Sequence, residues 1–308
     1  MMKKKQTPII LNIAFGVVVG LLLAVPLAFR NADLSSKKES REEVIKYYAP
    51  QHPDKLSFAG EAVPLDRWDV AERFDRELLF NYYNQANMLF LMKLANRHFP
   101  VISERLKAAG IHDDFKYLCV AESNLLAGAR SGVGATGFWQ FMPKTAPGYG
   151  LTANEQVDDR YDLEKSTDAA IKYLKQAHAK FGNWTAAAAS YNCGMGGYNA
   201  QVTYQGTANY YDLLLPEETN RYIFRILAFK HLMENAESMG FVLEDEDKYA
   251  EIPHRVVEVN STIPNLAEWA RSNGTTFKMV RQMNPWLRGR SLTVSGGKTY
   301  QIKLPPAS

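Results

Sequence analysis

Between Asp66 and Met239 the apolar residues return every three or four positions without settling into strict alternation, so this stretch is constrained to pack as helices rather than as a sheet. Phe74, Leu78, Leu79, Tyr82, Tyr83, Met88, Phe90, Leu91 and Leu94 mark a helical face over 66–99, which Pro100 breaks or restarts. Val101 to Ala109 is a second helix stopped by Gly110, and Phe115 to Ser123 is a third. Ser166 and Thr167 cap a helix with Ile171, Leu174 and Phe181 on one face, ended by Gly182. Trp184 to Tyr191 is an alanine-rich helix closed by Gly194, Gly196 and Gly197. A long helix runs from Glu217 to about Met239 with Tyr222, Ile226, Phe229 and Met233 on its face. The glycine-rich bend from Ser131 to Gly137 interrupts this helical series.

Glu122 sits just before that bend and closes the apolar segment Phe115–Ala121. Desolvation disfavours a charged carboxylate, so an acid in such surroundings has a raised pKa and can donate a proton near neutrality. Glycines let backbone come close to a bulky ligand. Gln140 can donate and accept at once, and Ser131 offers a hydroxyl at the bend. Ser123 follows the acid and also suits a backbone-holding role. Met142 and Phe138 read as wall, Trp139 as core. Glu218 is the competing acid: within about 9 Å of Glu122 and with a water between, it would favour hydrolysis. Otherwise it is a binding group or a helix-start acid. The six histidines are scattered and no Cys/His cluster has zinc spacing. Cys119 and Cys193 read as two small buried hydrophobes, with a disulfide as the alternative. A net charge of +3 gives no reason to expect nucleic acid.

Four blocks then carry a resemblance. They are Glu122-Ser123; the run from Gly134 through Gly137, Gln140, Met142 and Pro143 to Ala146; Ala189-Ser190-Tyr191-Asn192-Cys193-Gly194; and Glu218-Thr219-Asn220-Arg221-Tyr222. In this order they resemble the lysozyme-like lytic transglycosylases of murein, closest to the membrane-bound type D group. Phe138 stands for the usual Leu and Ser190 for the usual Ala. The resemblance implies a mainly α, lysozyme-like catalytic domain that acts on peptidoglycan glycan strands without metal or organic cofactor. It implies that Glu122 is the catalytic residue, first acid and then base. Cleavage of the MurNAc-GlcNAc bond would then leave a 1,6-anhydro end. Ser123, Ser131, Gln140, Met142, Tyr191, Asn192, Glu218 and Tyr222 are the expected substrate-side residues, Tyr222 as the hydroxyl that bonds Glu122. A goose-type lysozyme, which adds water, and a wall-binding protein that keeps the fold as scaffold remain alternatives.

At the N-terminus three lysines precede an apolar run from Pro8 to Phe29, long enough to cross a bilayer core of about 30 Å. It reads as an uncleaved anchor with the lysines in the cytoplasm, or as a cleaved signal. Either places the body in the cell envelope, on the periplasmic side. Composition changes again at the acidic run 244–248. Beyond it the order strand, helix, helix, strand, with Asn284-Pro285 after the second helix, resembles a LysM glycan-binding module or forms a βααβ appendage. The expected organisation is 1–7 cytoplasmic tail, 8–29 anchor or signal, 30–65 tether, 66–243 catalytic domain, 244–253 linker crossed by few contacts, and 254–308 LysM-like module. Protein partners are not indicated.

Overall fold

The computed structural model describes residues 46–307. The segment 8–29 read as anchor or signal, the tail before it, and 30–45 of the tether lie outside the described residues. Among the described residues no helix is long and apolar enough to cross a membrane.

The first part of the fold is helical: α1 (Trp68–Tyr83), α2 (Gln85–Ala108), α3 (Phe115–Ser123), α4 (Leu163–Phe181), α5 (Trp184–Gln205) and α6 (Glu217–Glu234). α6 is the axis. It is buried on most sides, through Tyr222, Ile223, Ile226, Leu227 and Leu232 among others, and α1, α3 and α5 pack around it. A helix apolar on most faces belongs in the interior. On α1, Val70, Phe74 and Leu78 lie four residues apart and form one buried stripe. Glu77 beside them is buried, and Arg221 Nε of α6 donates to its carboxylate at 2.6 Å.

Several boundaries differ from the sequence reading. α2 runs straight through Pro100, and the break falls earlier, at Asn84 (φ −87°, ψ 55°). Pro100 is exposed and gives up one backbone donor, while Leu91, Leu94, Ile102 and Leu106 bury the helix on both sides of it. Asp162, not Ser166 or Thr167, caps α4 by accepting from Lys165 N. α5 continues through its glycines with a kink at Gly194. α6 ends at Glu234, short of Met239.

The tether is shorter than read. Residues 57–62 form a hairpin of β1 (Ser57–Phe58) and β2 (Glu61–Ala62), with Phe58 wholly buried against Phe115. Lys230 and Asp114 form a buried ion pair at 2.7 Å beneath it, and they also bond Ser57 O and Ala59 N.

The tail is the expected βααβ unit: β3 (Arg255–Val259), α7 (Leu266–Ser272), α8 (Phe277–Met283) and β4 (Tyr300–Leu304). β3 and β4 pair antiparallel, from Arg255 opposite Leu304 to Val259 opposite Tyr300. Its core of Leu266, Val280, Leu287, Ile302 and Leu304 also takes in Val157 and Tyr161 from the helical part. The linker is not the sparse border expected. Tyr249 N donates to Lys93 O, Arg97 Nε donates to Ala250 O, and Lys93 lies 3.5 Å from Asp247. An acidic run beside basic residues of α2 is drawn onto the surface rather than left in solvent.

Candidate active site

α3 is short and almost wholly buried, and it ends where the chain turns through two successive left-handed residues, Asn124 (φ 52°) and Leu125 (φ 57°). Asn tolerates that conformation, whereas Leu does so only under constraint. The turn leaves Glu122 in the last turn of the helix, half-buried. Tyr222 of α6 donates its hydroxyl to Glu122 Oε1. Burial pushes the Glu122 carboxyl up to about 7, while the Tyr222 hydrogen bond and Arg225 pull the other way and Glu218 adds to the rise. Tyr222 is itself buried, and its phenol is raised well above the ordinary range, so it stays a donor.

The glycine-rich segment folds back on itself beside α3. Arg130 bridges Thr136, and Thr136 bridges Phe141. Gly137 (φ 80°) must be glycine, because a Cβ there would lie 1.8 Å from Arg160 O. Arg160 is buried. Its guanidinium grips Asp158 with two bonds, at 2.9 and 2.7 Å, and donates to the carbonyls of Gly134 and Phe141 at 3.2 and 3.1 Å. Two bonds join this loop to the neighbourhood of Glu122. The Cys119 thiol, one turn before Glu122, donates to Phe138 O at 3.3 Å, and Tyr191 Oη donates to Trp139 O at 2.8 Å. The phenol of Tyr191 is raised well above its ordinary range, by burial first and then by the Glu122 charge.

A carboxyl near pKa 7, held by a neutral phenol and flanked by aromatic rings, can both give and take a proton at neutral pH. Comparison with known proteins agrees with that chemistry. Residues 83–214 match the family described as Transglycosylase SLT domain. Residues 255–308 match the Soluble lytic transglycosylase C-terminal LysM-like domain, so the expected fold class, mainly α and lysozyme-like with a small LysM-like unit, holds. Over 206 residues the chain is 27% identical to Membrane-bound lytic murein transglycosylase D of Escherichia coli (strain K12), covering 65% of this chain and 45% of that protein. It therefore spans less than half the length of that relative. Among solved structures it is similar to an inactive mutant of lytic transglycosylase Slt from Pseudomonas aeruginosa (23% identity, 50% of this chain, 26% of that one, TM-score 0.39). It is also similar to the 70 kDa soluble lytic transglycosylase of Escherichia coli (18% identity, 61% and 37%, TM-score 0.40).

The packing of α3, α5 and α6 brings together Glu122, Tyr222, Tyr191 and, through charge, Glu218. Asn192 joins them from α5, its Oδ1 accepting from Thr219 Oγ1 at 2.8 Å. Glu218 is exposed and salt-bridged to Arg225 at 3.1 Å. Met142 is exposed on the loop. Four expectations change. Ser123 is buried and its Oγ donates back to Cys119 O, so it holds the helix end rather than a sugar. Gln140 sits at φ 47° with its Nε2 committed to Gly137 O and Ala129 O, so its donor side holds the loop. Ser131 Oγ likewise accepts from Ala135 N within the bend. Phe138 is core rather than wall, edge-on to His98 at 5.1 Å. Trp139 is core, as read, with Nε1 on Thr167 Oγ1. Cys119 and Cys193 are free thiols.

Two residues were missed. Arg225 lies three residues after Tyr222, which places it on the same helix face, so the spacing could have revealed it. Arg160 gave no signal as a clamp on the loop, because the two carbonyls it holds lie 19 and 26 residues away.

Proposed function

We propose that this chain is a lytic transglycosylase of peptidoglycan, with Glu122 as general acid and then general base. The observation that carries the reading is the Glu122 carboxyl, held by Tyr222 and pushed to about 7. At neutral pH a large share of it is protonated, so it can protonate the glycosidic oxygen between MurNAc and GlcNAc as the C1–O bond breaks. The carboxylate left behind then takes the proton from the muramoyl C6 hydroxyl as its oxygen bonds C1. The proton returns to Glu122, and a 1,6-anhydro end forms without water. Most glycosidases need a second carboxylate as nucleophile or base. Here the other carboxylate that acts on Glu122 is Glu218, which is exposed and ion-paired with Arg225, and this favours the one-acid route over hydrolysis.

Ser131, Gln140, Met142, Tyr191, Asn192 and Glu218 are proposed to line the sugar path, Gln140 through its carbonyl side. The LysM-like unit is proposed to bind glycan. The matched relative is named membrane-bound, which supports a place in the cell envelope. We assign 8–29 as the anchor in the cytoplasmic membrane, with the catalytic part in the periplasm. Mass spectrometry of products from purified glycan strands is the test. Ends one water lighter than reducing ends are expected, and reducing ends alone would point to a lysozyme-type hydrolase.

A further inference from the structure

The LysM-like unit is joined to the catalytic part by more than a chain crossing. Leu287 pairs with Val157 as a β-bridge, and Asp158 N donates to Trp286 O at 2.9 Å. Arg288 N donates to Gln156 O at 2.7 Å. The Gln156 side chain donates to Ser291 Oγ and accepts from Thr293 N. The Arg288 guanidinium lies 4.1 Å over the Tyr161 ring, and Lys303 meets Glu164 at 2.7 Å. Val157 and Tyr161 belong to the core of this unit. The segment 156–161 is thus gripped on both sides of Arg160.

Arg160 faces the other way. It spans the two ends of the catalytic loop at the carbonyls of Gly134 and Phe141, and its own carbonyl fills the space that Gly137 leaves open. Asp158 connects the two systems. Its backbone N–H bonds the LysM-like unit and its carboxylate holds the Arg160 fork. A bidentate arginine fixes geometry as well as charge. The loop so held carries Gln140 and Met142 and is bonded to Cys119 and Tyr191 beside Glu122. A cavity of about 340 Å³ runs along the same seam, with Leu125 and Phe138 on one side and Met283 and Trp286 on the other.

We propose that the LysM-like unit is a positioning element of the active site: by clamping 156–158 it holds Arg160, and through Arg160 the loop 134–141, in place at Glu122. The catalytic consequence rests on the transglycosylase reading, whereas the structural coupling does not. Turnover of glycans too short to reach a second site therefore depends on the seam.

The test uses the full chain. Gly289→Val places a side chain where a Cβ already meets Ser291 O at 3.0 Å and Gln156 Cγ at 3.2 Å, and so pries the seam. Hydrogen exchange of the amides in 134–141 should quicken at least several-fold, with those of α6 unchanged. On a soluble tetrasaccharide-sized glycan kcat should fall by about ten- to a hundredfold, the cost of a misplaced positioning group. KM should change less, and the pH profile should stay in place because Glu122, Tyr222 and Arg225 are untouched. Arg160→Lys, which keeps the charge and loses the fork, should reproduce both effects without quickening exchange in the LysM-like unit. If Gly289→Val fails to fold, Gln156→Ala removes the side-chain bonds to Ser291 Oγ and Thr293 N and is read the same way. Exchange at 134–141 equal to wild type in a folded seam variant overturns the coupling. Quickened exchange with unchanged kcat overturns its catalytic role. A wild-type chain that makes no anhydro ends removes the transglycosylase reading and leaves the exchange experiment to decide the coupling.

Discussion

Glu122 carries two linked expectations, one for activity and one for stability. Glu122→Gln keeps the volume but cannot act as an acid, so turnover should drop by about 10²- to 10⁴-fold, read as anhydro product formed. The same change should alter the pH dependence of folding. A carboxyl raised from 4.5 to about 7 in the fold contributes stability that is fully present below its ordinary value and is lost as pH rises through about 7. Glutamine mimics the protonated form. Thermal unfolding of the variant should therefore match wild type in acid and exceed it in mild alkali, by at most ~3 kcal/mol. Tyr222→Phe removes a bond that favours the ionised form, so the alkaline limb of kcat/KM should move above about 7. A limb that stays or moves down would show that Tyr222 does not set this pKa. Glu122 stood out in the sequence because the other three blocks follow it in order; its apolar run and the glycine bend alone also fit a surface acid at a helix end. The backbone-holding bonds of Ser123 and of the Gln140 donor side were hard to read for a definite reason. Whether a polar side chain faces a ligand or its own backbone depends on dihedrals such as φ 47° at Gln140, which residue type does not encode.

At the scale of elements, the helices were legible wherever one face had to be buried. Elements that depend on distant partners were not. The helix through Pro100 survives because packing on both sides of it outweighs one lost donor. The β1–β2 hairpin is only two residues per strand and needs Asp114 and Lys230, far along the chain, to hold it. The glycine-rich loop gives the sharpest test of element geometry. Gly137→Ala would set a Cβ 1.8 Å from Arg160 O at a φ that L residues avoid. It should cost more than about 4 kcal/mol in urea unfolding, among the largest effects of single substitutions. Gly132→Ala lies in the same bend, with nothing within 4 Å of the new Cβ and no positive φ. It should stay within about 0.5 kcal/mol of wild type. Equal losses at both positions would mean that the bend as a whole, not the Arg160 contact, requires glycine.

At the scale of the whole molecule, composition marked the right places and the wrong borders. The acidic run 244–248 does precede a separate βααβ unit, but that unit shares its core with Val157 and Tyr161. The polar stretch 30–65 reads as tether because its charges are mixed, and nothing local shows that Phe58 finds a pocket against Phe115. The same contacts predict where the chain can be shortened. A chain beginning at residue 66 loses Phe58 from the core, and truncating a buried Phe alone costs about 3–5 kcal/mol. It also leaves the buried Lys230–Asp114 pair without Ser57 O and Ala59 N. It removes Glu61, whose carboxylate accepts from Trp184 N, Thr185 N and Thr185 Oγ1 at the start of α5. An anion at a helix N-terminus satisfies donors that are otherwise unpaired and opposes the helix dipole. A chain beginning at residue 49 keeps all three features. Its urea midpoint should equal that of the full chain, while the chain from 66 should unfold at much lower urea or fail to fold. Glu61→Gln, which keeps the hairpin and loses only the charge, should fall between them. If the chain from 66 proves as stable as the chain from 49, the hairpin is decoration on a domain that is complete without it.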